Sequence, residues 1–211
     1  MITVEGLSFG YRSDEAIFDG FSHVFGSGVV SGVTGRSGSG KSTLLYLVGL
    51  LLTPWSGGIH YEDIDATVLG DGERSAIRAR RVGFVFQDAA LDPSRTVLDN
   101  MIEGAVYAGV GRGEATRRAE TLAERFEVGL RLGHKPGEVS GGQAQRVALC
   151  RALVNRPDVI LADEPTGNLD EVTAKVVIDA LVGLAHEQEA TVIIASHDRD
   201  VIGVCDDVVG L

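Results

Sequence analysis

The sequence predicts an α/β fold on a largely parallel sheet, with an antiparallel β part at the N-terminus and a helical insertion. Three observations predict it. Strand-length apolar runs alternate with helical ones along the 211 residues. A glycine-rich loop stands between a β-branched strand and a helix. A mostly helical stretch from Ala89 to Arg156 separates the strands before it from those after it.

The first 30 residues set themselves apart. ITVEGLSFGY and AIFDGFSHVF are two strand-length segments separated by the polar RSDE, a hairpin-like opening. The run GVVSGVTGRSGSGKSTLLYLVGLLL then begins as an apolar strand from Val29 to Thr34 and places Gly35, Gly38, Gly40, Lys41 and Ser42 at the spacing of a P-loop. Glycine lets backbone close round phosphate oxygens, and the amides of Gly38 to Thr43 stand at a helix start whose positive dipole end favours anions. Arg36, Ser37 and Ser39 fill the rest of the loop. Lys41 is the candidate for the β- and γ-phosphates and the Ser42 hydroxyl for Mg2+. A glycine/serine-rich turn before a helix is the alternative, and the strand before and helix after argue against it. The expected core is therefore that of a P-loop NTPase, with a RecA-like, mostly parallel sheet.

GGIHY at 57 to 61 and VGFVF at 82 to 86 supply further strands, with a helix through Arg74 to Arg81. Helical patterns follow in TVLDNMIEGAVYAG, in RGEATRRAETLAERFEV, and after VSGGQ. Beyond Pro157 the order is strand, helix, strand: VILAD, a helix near Glu171 to Gln188, and TVIIAS. Residues 1–211 are expected to form one domain, with 1–88 and 157–211 as the nucleotide-binding core and 89–156 as a helical subdomain.

A content of 44% hydrophobic and 23% charged residues is ordinary for a folded chain. Its longest apolar run, Leu44 to Leu52, is too short to cross a bilayer, and no signal peptide opens the chain. Cys150 and Cys205 lack metal-like spacing and read as free thiols of a reducing cytoplasm. A net charge of −11 argues against broad nucleic-acid binding. Of the local basic spots, Arg78, Arg80 and Arg81 read as a solvated helix end, and Arg112, Arg117 and Arg118 as a polar helix face.

Chemistry gathers in the second half. VILADEP is a buried strand ending in two acidic residues, where open α/β sheets place ligands. Asp163 is the candidate for holding Mg2+, and Glu164 for polarising a water beside a γ-phosphate. A capped turn is the alternative for such a carboxylate pair. His197 closes the next strand; a lone histidine is often structural, but this one ends a strand of the same sheet.

With these residues in place, the chain resembles the nucleotide-binding subunit of ATP-binding cassette (ABC) transporters over essentially its whole length. By that resemblance GRSGSGKS is the Walker A motif, Gln87 the Q-loop residue and a further metal contact, VSGGQ the signature, VILADE Walker B, GNLD ending at Asp170 the D-loop, and His197 the switch histidine. Tyr11 matches the aromatic that stacks on adenine, an ordinary core tyrosine being the alternative. The wording of ADEPTGNLD and ALCRALVNRPDVILADEP resembles the subgroup serving lipoprotein release, macrolide or peptide export and FtsE-like systems. Two departures stand out. Val139 occupies a position where leucine is usual, and the chain ends at Leu211, which would leave out an appended regulatory domain and the family's last strand and helix.

The resemblance implies a mechanism. Ser140, Gly141, Gly142 and Gln143 begin a helix and form a second anion cradle, which closes on the nucleotide of a second copy. Two ATP molecules would then be glue between protomers, with Lys41, Ser42, Gln87, Asp163, Glu164 and His197 of one chain facing Ser140, Gly142 and Gln143 of the other. The implied partners are that second copy and an integral membrane permease docked on the helical region, with the chain peripheral on the cytoplasmic face. A soluble ABC ATPase of DNA repair or translation is the runner-up, disfavoured by the lack of coiled-coil or zinc insertions and of a second cassette. A P-loop kinase or GTPase would leave VSGGQ and His197 unexplained.

Overall fold

The computed structural model describes residues 1–211 apart from Asn168. In chain order its elements are β1 (Ile2–Phe9), β2 (Phe18–Phe25), β3 (Val30–Thr34), α1 (Lys41–Val48), β4 (Ser56–Tyr61), β5 (Ile64–Asp65), α2 (Asp71–Arg81), β6 (Val82–Val85), α3 (Val97–Tyr107), α4 (Arg112–Arg125), α5 (Gly141–Leu153), β7 (Val159–Asp163), α6 (Glu171–Gln188), β8 (Thr191–Ala195), α7 (Arg199–Gly203) and β9 (Asp207–Gly210).

They build two sheets. The order β2-β1-β4-β5 is antiparallel, and β6-β7-β8-β3-β9 is parallel throughout. Every residue of β7 and β8 is buried, which is why VILAD and TVIIA read as continuous apolar runs rather than alternating ones. Alternation survives in where the side chains go. Leu161 and Ile193 join the core shared with α1 and the antiparallel sheet, whereas Ile160, Val192 and Ile194 face α6 and the inserted helices.

The insertion packs through small residues. Ala115, Ala119 and Ala123 recur every fourth position on α4, are fully buried, and let it lie close against its neighbours. The helices α3, α4 and α5 all fall between β6 and β7, as the pattern predicts.

Several details differ from the sequence reading. The helix expected from Arg74 starts at Asp71, because Glu73 reaches back to the Gly70 amide at 3.0 Å and caps the first turn. Arg78 and Arg81 are not a solvated end. Arg78 donates to the Leu50 carbonyl at 2.7 Å, and Arg81 pairs with Asp158 at 2.7 Å and Glu62 at 3.1 Å, so they pin α2 to the sheets and only Arg80 is exposed. The second basic group does form a polar face, with Arg112 on Asp99 and both Arg117 and Arg118 on Glu114. Sequence patterning did not single out α7 or β9; both are short, and β9 is held at the sheet edge through its pairing with β3.

Cys150 and Cys205 are free thiols. Burial pushes the first up to about 12 and the second to about 11, so both stay protonated and inert near neutrality. No helix among the described residues is long and apolar enough to cross a membrane.

Leu161 is fully buried on β7, an inner strand of the parallel sheet. Leu161→Ala is expected to cost about 2–5 kcal/mol in urea unfolding, the range for a leucine cavity that neighbours refill only in part.

Candidate active site

The loop after β3 needs glycine where the geometry says so. Gly38 and Gly40 have φ of 79° and 101°, and a Cβ at Gly40 would lie 2.6 Å from Ile17 Cγ2. The Lys41 ammonium folds back over the loop and donates to the Gly35 and Arg36 carbonyls at 3.1 and 3.3 Å. No acidic residue occupies the first turn of α1, so the positive end of its dipole and its free amides face the cleft uncompensated. The Ser39 hydroxyl is buried without a hydrogen-bond partner among the described residues and packs towards Gly35, so this residue could meet a phosphate only through its backbone amide.

Opposite the loop, β7 delivers the acidic pair. Asp163 is 4% exposed. Burial raises its pKa, the Ser42 hydroxyl and the Lys41 charge oppose the shift, and Glu164 reinforces it. Glu164 takes a left-handed backbone, φ 44°, just before Pro165. That conformation is unfavourable for a non-glycine residue, on the order of 1–3 kcal/mol, and the following proline disfavours the helical alternatives. Tertiary contacts hold it there. The Glu164 amide donates to the Ala195 carbonyl at 2.9 Å, and its carboxylate accepts from the Ser196 hydroxyl at 3.1 Å and pairs with His197 Nδ1 at 2.7 Å. The Ser196 amide in turn donates to the Val33 carbonyl at 3.1 Å, which joins the ends of β3, β7 and β8.

One cleft of about 720 Å3 is lined by Tyr11, Gly35, Arg36, Ser37, Gly38, Gly40, Lys41, Ser42, Thr43, Gln87, Asp163, Glu164 and His197. Ile17 also lines it; its only sequence signal was its place in the second strand-length segment, and the sequence reading passed over it. Tyr11 is 64% exposed, with its hydroxyl 3.2 Å from Thr43 Oγ1, which removes the core-tyrosine alternative. Among the described residues no three His, Cys, Asp or Glu side chains converge as a metal cage. A cation beside Asp163 and Ser42 would draw most of its ligands from phosphate and water, which suits Mg2+. Burial disfavours the charged form of this carboxylate, and such an ion would stabilise it.

The second predicted cradle stands apart. Ser140 caps α5: its hydroxyl accepts from the Gln143 amide at 3.2 Å, and the Gln143 side chain accepts from the Ser140 amide at 3.0 Å. A Cβ at Gly141 would meet nothing within 4 Å. Ser140, Gly141, Gly142, Gln143 and Asp170 do not line the P-loop cleft; Gln143 borders another concavity with Glu120, Glu124 and Leu130. The Asp170 carboxylate is occupied as the cap of α6, accepting from the Thr173 amide and hydroxyl at 3.0 and 2.7 Å. Asn168 of the GNLD segment lies outside the described residues. Val139 is partly buried against the core, a role that needs an apolar side chain and that valine fills as leucine would.

The fold and this cleft define a P-loop NTPase. The chain matches the ABC transporter family over residues 18–167. It is 40% identical to the lipoprotein-releasing system ATP-binding protein LolD of Xylella fastidiosa over 92% of this chain and 81% of that one. It is 40% identical to LolD of Cereibacter sphaeroides over 100% of this chain and 96% of that one. It is also 40% identical over 99% of its length to the macrolide export ATP-binding/permease protein MacB of Rhodopirellula baltica, of which it spans 31%. The dimeric structure of a bacterial ABC transporter cassette superposes with a TM-score of 0.93 at 33% identity, covering 100% of this chain and 94% of that one. The same cassette in a post-hydrolysis state bound to ADP and Pi superposes at 0.91, with the same identity and coverage. The chain belongs to the ABC transporter family, as one of its ATPase cassettes.

The raised pKa of Asp163 means that the folded chain holds this proton more tightly than the unfolded one. Its stabilising contribution is therefore present at low pH and lost as pH rises through its titration. In the absence of nucleotide and Mg2+, Asp163→Asn is expected to melt above the wild type at pH 7, with the gap closing as pH falls to the ordinary carboxylate range, about 3.9. Thermal melts across that range check it.

Proposed function

We propose that this chain binds and hydrolyses ATP to drive a membrane permease in export of the lipoprotein-release or macrolide type, working as a dimer closed around two ATP molecules. The observation that carries the reading is the separation of the two anion cradles. Lys41, Asp163, Glu164 and His197 share one cleft, while Ser140 and Gly141 are exposed elsewhere on the same chain. A cradle with small residues, free amides and no partner in its own chain is suited to the nucleotide of a second copy.

Within the cleft the loop amides and Lys41 hold the phosphates, and Tyr11 offers its exposed ring to the base. Ser42, Asp163 and Gln87 would hold Mg2+, which would supply positive charge to offset that of the phosphates. Glu164 accepts the proton of the attacking water, its carboxylate oriented by Ser196 and His197. Ser140, Gly142 and Gln143 of the second chain complete the γ-phosphate contacts. Loss of those contacts after hydrolysis lets the dimer open, a switch by differential binding of two states.

Permease docking falls to a groove of about 970 Å3 between α2, β6, α3 and the end of α5. Its wall includes Leu51, Phe84, Phe86 and Tyr107, and the 73% exposure of Tyr107 leaves a large apolar surface for an amphipathic segment. The chain would then sit on the cytoplasmic face of the membrane through that partner.

Glu164→Gln is expected to lower turnover by roughly 10²–10⁴-fold while ATP still binds, and to accumulate an ATP-stabilised dimer in size-exclusion chromatography. Normal turnover in that variant would overturn the assignment of the base. Lys41→Ala should weaken ATP binding by roughly tenfold or more in calorimetry, the scale of a lost charged hydrogen bond.

A further inference from the structure

Gln87 stands in a turn that its own segment holds only in part. The Ala89 amide donates to the Phe86 carbonyl at 3.2 Å, so residues 86–89 form a turn with Gln87 at its first central position. Ala89 and Ala90 follow with φ of 57° and 47°, two successive left-handed residues of which neither is glycine. Left to local preference the chain would leave this shape.

The grip comes from α5, about 60 residues along the chain. Gln145 Nε2 donates to the Phe86 carbonyl at 3.1 Å. Arg151 Nη2 and Nη1 donate to the Ala89 and Ala90 carbonyls, each at 2.7 Å, and the guanidinium lies 5.8 Å from the centre of the Phe86 ring. Three carbonyls of one short turn are thus held by two side chains of one helix. Burial lowers the Arg151 pKa, and the charge of Glu103 opposes the shift. Arg151 is only partly exposed, and its planar fork reaches both backbone carbonyls where an ammonium reaches one.

We propose that Arg151, assisted by Gln145, is a positioning residue for Gln87. It holds the strained turn so that the Gln87 side chain stays in the phosphate cleft. Because Ser140 caps the same helix, the Gln87 turn and the second anion cradle are joined through α5. The proposal rests on the proposed role of Gln87 at the nucleotide.

Steady-state ATPase kinetics and hydrogen exchange by mass spectrometry test it on Arg151→Lys, Arg151→Met, Gln87→Ala and the Gln87→Ala/Arg151→Lys double variant. Arg151→Lys should lower kcat about tenfold with KM for ATP changed less than about twofold, and Arg151→Met should lower it further. Exchange should rise in residues 86–92 while α5 keeps its protection. In the Gln87→Ala background Arg151→Lys should cost nothing more, since both changes act through one group. A wild-type kcat in Arg151→Lys, unchanged exchange at 86–92, or losses that multiply fully in the double variant would each sink the proposal. Gln87→Ala with wild-type turnover would instead remove the reading of Gln87, and increased exchange in Arg151→Lys would then support the grip on the turn alone.

Discussion

Strand β8 lies hydrogen-bonded between β3 and β7, all three parallel, with Ala195 level with both Val33 and Asp163. The site depends on that lateral arrangement. Parallel strands put their carboxyl ends on one edge, and at the usual strand spacing β3 and β7 end roughly 10 Å apart. The loop leaving β3 carries Lys41, the residue after β7 is Glu164, and those after β8 are Ser196 and His197. Three unrelated stretches of chain therefore present a cation, a carboxylate and an imidazole to one volume. Ser196 ties the arrangement together, its amide on Val33 and its hydroxyl on Glu164.

Continuous burial along β7 and β8 supplies the stability that the site gives back. The surroundings of Asp163 disfavour its charged form, and Glu164 holds a left-handed backbone before a proline. Both are unfavourable when no ligand is bound, and both are tolerated because the flanking strands sit in two apolar cores, one on each face of the sheet. Strain and an unsatisfied charge gathered at a strand end fit a place where a cation and phosphates are to be bound.

The helix α5 has a double position. Its N-terminus is the solvent-facing cap at Ser140, and its middle and end reach the turn carrying Gln87 through Gln145 and Arg151. The apolar groove proposed for the permease is lined by Arg151 and Phe86 as well. Nucleotide cleft, second cradle and docking groove thus share one rigid element, which gives a mechanical reason for a helical insertion between the two halves of the sheet.

Much of this was legible from residues alone. The P-loop, the apolar runs of VILAD and TVIIA, the acidic pair and the helix start at Ser140 obey rules of near neighbours: the steric freedom of glycine, the period of a strand, the residues that open a helix. Arg78 and Arg81 read wrongly as a solvated end, because their partners Leu50, Asp158 and Glu62 lie 19 to 77 positions away. The place of Ile17 in the cleft and the short edge strand β9 leave no local signal either. The sequence by itself determined which groups are present and the local conformations they favour. Only the tertiary structure decided which strand lies beside which, and so which groups meet, because lateral strand order and long-range side-chain grips come from packing between segments whose separation no local pattern records.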